Sequence, residues 1–133
     1  MKKYFLLQLM SILVMGAAYS QDIKMEPKKQ FMQVTTIESV LAGGFGRSKM
    51  IITNPDGTQR DLDMENLFNL VGINFKNIKE NDDKLVRILM EYTNIGWKVE
   101  QVTSLTLSQN ENGSGGIFMT RYLLSRPEEK KNG

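Results

Sequence analysis

Across 133 residues the chain has no histidine and no cysteine. That excludes Ser-His-Asp and Cys-His nucleophilic sites, histidine general bases, ordinary zinc sites and disulfides. Seventeen bases oppose fifteen acids, but the first twenty residues hold two of the bases and no acid, so the remainder carries fifteen of each and has no positive field to favour nucleic acid.

Those twenty residues, MKKYFLLQLMSILVMGAAYS, set Lys2 and Lys3 before an apolar run from Tyr4 to Met15 and close on small residues around Ala18-Tyr19-Ser20. This is the layout of a secretory signal peptide cleaved before Gln21. The run is too short for a membrane span, which takes about 20 residues. No cysteine follows it to carry a lipid. The expectation is an exported protein, soluble in the periplasm or medium, with no transmembrane segment after cleavage. Removing twenty residues from 133 leaves 113, enough for one domain with its own core. Residues 21–29 read as a loose lead-in, 30–126 as the domain and 127–133 as a polar tail.

Phe31 to Leu41 is rich in β-branched residues and predicts a strand; Ser48 to Thr53 predicts a second. Between them lies LAGGFGRSKM, with Gly43, Gly44 and Gly46 ahead of Arg47 and Ser48. A nucleotide phosphate loop needs G-x-x-x-x-G-K-[ST] followed by a helix whose amides meet the phosphates. Here the spacing differs, arginine replaces lysine, and a strand follows. The expected role is a hairpin connection that binds no nucleotide. The alternative is a nest of glycine amides for a small anion, with Arg47 as counter-charge and Arg121 sharing the surface.

Asn54-Pro55-Asp56-Gly57 fits a type I turn, and TQRDL is compatible with a short continuing strand. Met64, Leu67, Phe68 and Val71 then fall at i, i+3, i+4 and i+7, which predicts a short helix capped by Asp63 and stopped by Gly72. INFKNIKEN reads as a connection. Leu85, Ile88, Leu89 and Tyr92, widened by Val86 and Met90, predict the main helix. Asn81 is its expected N-cap, with Asp82 and Asp83 at the positive end of the dipole. Gly96 is the expected left-handed stop, after which a buried Trp97 packs back on Tyr92. Trp97 to Leu107 alternates as a half-buried strand, and Ile117 to Ser125 returns beside it. The fold class is α+β: an antiparallel sheet of about four strands with one main and one short helix on one face.

Asp61, Asp63 and Glu65 alternate in DLDME, as calcium ligands can. An EF-hand loop would need glycine sixth and glutamate twelfth, where this chain has Asn66 and Gly72. Capping accounts for the acids, and neither metal nor cofactor is expected. Arg121 and Tyr122 are adjacent on a strand and must face opposite ways. Asn112-Gly113-Ser114 matches a glycosylation sequon, which matters only in a eukaryotic host.

The segment from Leu85 to Arg126 runs from a helix into GWKVEQVTSL, a glycine-rich loop, and FMTRYLLSR. This resembles a family of small secreted domains of unknown function from Bacteroidetes-like bacteria: helix, Gly-Trp, strand, hairpin, and a closing strand ending in a base. IESVLAGGFGRSKMI and LFNLVGINFKNI extend the similarity. The resemblance implies the fold and export, and brings no catalytic residue. Three functional readings follow. The first is a non-catalytic interaction module of the bacterial envelope, meeting a protein or envelope component through an exposed sheet edge or the helix-free face. The second is a small-anion or small-ligand carrier using Gly43, Gly44, Gly46, Arg47 and Arg121. The third, least favoured, is an enzyme working with carboxylates alone, which needs two acids converging across a cleft.

Overall fold

A computed structural model describes residues 27–40, 47–108 and 116–128. Residues 1–20 with their cleavage site, most of the lead-in, Gly43, Gly44, Gly46, Asn112 and residues 129–133 lie outside them. The elements run β1 (Lys29–Ser39), β2 (Ser48–Thr53), β3 (Gln59–Met64), β4 (Phe68–Asn69), β5 (Gly72–Ile73), α1 (Phe75–Thr93), β6 (Lys98–Leu107) and β7 (Ile117–Pro127). The architecture is α+β, with five strands in the main sheet in the order β3-β2-β1-β7-β6, all neighbours antiparallel, plus the small β4-β5 pair.

The N- and C-terminal strands β1 and β7 lie side by side at the centre, paired from Lys29↔Pro127 to Ser39↔Ile117. Alternation decides the faces. Met32 and Val34 of β1, Met50 and Ile52 of β2, Met64 of β3 and Leu124 of β7 turn to one side and pack with Ile88 and Trp97 into the core. Leu62, Leu85, Tyr92 and Tyr122 border it. Among the described residues no helix covers the opposite face, where Phe31 and Leu105 remain exposed.

Three expectations need correction. The main sheet has five strands and not about four, because the stretch after the 54–57 turn forms a full edge strand, β3. The stretch around Met64, Leu67, Phe68 and Val71 is not a helix. Met64 ends β3, opposite Ser48, and Phe68 to Ile73 form a hairpin in which Phe68 pairs with Ile73. Asparagine chemistry explains the change: Asn69 Oδ1 accepts the Val71 N–H, closing a local turn that competes with a helix. Gly72 does adopt positive φ, +120°, but in the hairpin and not at a helix end. Asp63 therefore caps nothing. The main helix also starts earlier than expected. Its N-cap is Asn74, whose Oδ1 accepts the Asn77 N–H, and Asn81 sits inside the helix. INFKNIKEN, read as a connection, supplies one strand residue, the cap and the first helical turns.

The end of α1 follows the expectation. Gly96 has φ +91°, its N–H donates to Thr93 C=O, and Trp97 N–H donates to Tyr92 C=O. These are the two bonds of a Schellman motif, and Trp97 and Tyr92 meet in the core. Arg126 stacks over the Trp97 ring at 4.7 Å and donates through Nε to Gln30 Oε1. The base that ends the closing strand thus roofs the tryptophan that follows the helix.

Candidate functional site

The strands flanking the glycine-rich segment are antiparallel neighbours, with Ile37 opposite Lys49, so the chain turns back on itself there. Ser48 opens β2 and is buried: its Oγ accepts the Ser39 N–H at 3.0 Å and donates to Asn66 Oδ1 at 3.2 Å. An open cleft of about 380 Å³ lies beside it, lined by Arg47, Ser48, Lys49, Asp63, Met64 and Asn66. Arg47 is exposed and enters no ion pair with the described residues. Lys49 is held by Asp61 at 3.1 Å. Two cations and one acid, Asp63, line this cleft, and Asp61 offsets Lys49 beside it, which leaves a weak, solvated contact for a small anion and no concentrated positive pocket.

Arg121 does not converge on that cleft. It lies on the helix-free face, in register with Thr35 and Thr103. Thr35 in turn pairs with Ile51, four residues along β2 from Arg47. Two strand spacings and four residues of rise separate the two arginines by about 16 Å. Tyr122 faces the other way, toward the core. Among the described residues no group of three or more acids is placed to hold a metal. Asp61 binds Lys49, and Glu65 binds Lys84 at 3.6 Å.

A polar knot between helix and sheet was not anticipated. Asn81 is 1% exposed. Its Oδ1 accepts the Glu65 N–H at 2.8 Å, and its Nδ2 donates to Glu65 C=O at 2.9 Å and to Glu38 Oε1 at 3.2 Å. Burial pushes the Glu38 carboxyl above its ordinary pKa, with Asp82 adding in the same direction and the Asn81 bond opposing. Burial likewise raises Tyr122, aided by Glu38 and Asp82. The available signal was positional: Ile78, Asn81, Leu85, Ile88 and Tyr92 fall on one helical stripe, so Asn81 occupied a core step. Every buried side-chain polar atom among the described residues has a partner, so the knot leaves no orphan group aimed at a ligand.

The two edges of the sheet differ sharply. β3 carries Arg60, Asp61 and Asp63 in six residues. Its flank is tied by Arg60–Glu91, Lys84–Glu65 and Lys49–Asp61. Charges of this kind blunt an edge against further pairing. β6 is exposed along its whole length, and from Gln101 to Leu107 it reads QVTSLTL, with no charge, proline or glycine. Its own charges stand at the start, where Lys98 precedes a bulge at Glu100, and Glu100 is held by Lys29 and the Ser125 hydroxyl. Compared with protein-family models, with curated proteins and with solved structures, the chain finds no match.

Proposed function

We propose that this protein is a non-catalytic interaction module of the bacterial envelope, exported behind residues 1–20, as the resemblance to small secreted bacterial domains also suggests. The observation that carries the reading is the β6 edge: seven consecutive uncharged residues with one side of their backbone paired to no strand among the described residues. A row of free N–H and C=O groups in strand geometry recognises another extended backbone. The neighbouring helix-free face adds apolar area through Leu105, opposite Met119, and Leu107, opposite Ile117. Among the described residues no helix is long and apolar enough to cross a membrane, which fits a module that acts at the envelope by contact.

The test is photo-crosslinking in the native host, with the reactive residue placed at Thr103 on β6 or at Asp61 on β3. Specific adducts from position 103, absent from position 61 and suppressed by Leu105→Lys, are expected. Equal labelling from both positions would remove the edge as the contact surface. A second reading rests on Arg47, an exposed cation at the open cleft that enters no ion pair with the described residues. Phosphate titration, following the amides of Gly43 to Ser48, tests it. Saturable shifts confined to those amides and abolished by Arg47→Ala would favour a small-anion carrier.

A further inference from the structure

Among the described residues, β6 is an edge strand, and the side of the molecule that it ends is apolar above and below that edge. The flank of α1 bearing Lys84 and Glu91 turns toward β3, as its ion pairs establish. Val86 and Leu89 lie on the opposite flank. Val99 and Val102 of β6 pair with Leu124 and Tyr122 and so stand on the helix side of the sheet. Val86, Val99 and Val102 are roughly half exposed. Leu105 and Leu107 are similarly exposed on the helix-free face.

We propose that β6 pairs antiparallel with β6 of a second copy, joining two sheets into one of ten strands. This rests on the interaction reading above and names its partner. Three features favour a second copy. The pairable stretch is bounded by its own bulge and charges at one end, leaving Gln101–Leu107. Paired with itself about Ser104, that stretch sets Thr103 opposite Leu105 and Gln101 opposite Leu107. No charge meets a like charge, because Glu100 then lies opposite Ser108 and Lys98 falls beyond the seam. Finally, a two-fold axis perpendicular to the sheet keeps both helices on one side, so the exposed valines of one copy approach those of the other. Apolar surface uncovered in the monomer is then removed from water on both faces.

Sedimentation velocity on the purified protein is expected to give twice the monomer mass at micromolar concentration. Thr103→Lys, which sets a charge against Leu105 twice in the seam, should weaken the dimer by at least about tenfold. Gln59→Lys on the β3 edge should leave it unchanged, and both variants should keep the wild-type unfolding midpoint when unfolded at concentrations low enough to dissociate the wild-type dimer. The chain has no cysteine, so Val102→Cys, Ser104→Cys and Thr106→Cys can each be oxidised alone. Disulfide-linked dimer should peak at position 104. A monomer at all concentrations, or a dimer insensitive to Thr103→Lys, overturns the self-pairing. If the wild type is monomeric yet position 103 still crosslinks to a different protein, self-pairing fails while the interaction module stands. If both are absent, both readings fall.

Discussion

Asn81 shows how one side chain can set the position of a helix on a sheet. It satisfies both backbone groups of Glu65 as β3 gives way to the hairpin, and it reaches across to Glu38 on β1. Asn81→Leu keeps the branched shape of the side chain but strands two backbone groups and a carboxylate. We expect a loss of about 3 kcal/mol in urea unfolding, several times the cost of a surface change. Glu38 gives a pH signature. Its carboxyl is raised by burial, so the folded state holds its proton more tightly than the unfolded chain does. Stability from this group is therefore fully present below the ordinary glutamate value and is lost as pH rises through the elevated one. Glu38→Gln should flatten that part of the profile and unfold no earlier than wild type at pH 7, as read from urea midpoints between pH 4 and 7. Neither role was legible in the sequence. Asparagine before two aspartates looks like a cap, but the helix starts at Asn74, and the bonds of Asn77 to Asn66 and of Asn81 to Glu65 place Asn81 inward.

At the scale of elements, strong periodicity was readable and weak periodicity misled. The stripe from Leu85 to Tyr92 and the Gly96-Trp97 stop are where the spacing places them, because buried apolar residues and a positive φ leave little choice. A Cβ built on Gly96 meets nothing within 4 Å, so the cost of Gly96→Ala is backbone strain alone, about 1 kcal/mol. A lower denaturation midpoint with an unshifted, buried tryptophan emission is the expected result. The false helix had the right spacing but the wrong burial: Leu70 and Val71 are 86% and 94% exposed at the hairpin tip. Asn69 and Asn74 each accept a nearby backbone N–H, from Val71 and Asn77, and partition that stretch into turns. The first turn of α1 was hidden for the reverse reason, since Lys76, Asn77, Lys79 and Glu80 dilute the stripe around Phe75 and Ile78.

At the scale of the whole molecule, alternation told which face a residue takes but not which strand is its neighbour. Nothing in the pattern of β1 or β7 announced that they pair at the centre of the sheet, nor that β6 and β3 would be the edges. The unequal edges bear on the candidate site more than any single side chain does. The central pairing also governs time. Residues in contact between β1 and β7 are separated by most of the domain, from Ser39↔Ile117 to Lys29↔Pro127. The sheet cannot close until its last strand has left the ribosome, and closing so long a loop slows folding toward the millisecond-to-second range. A chain cut after Gly116 should show no cooperative unfolding transition by circular dichroism, and the full chain should refold as slowly as all-β domains do. A nascent polypeptide with this topology stays open, its apolar strands within reach of chaperones and proteases, until β7 has emerged.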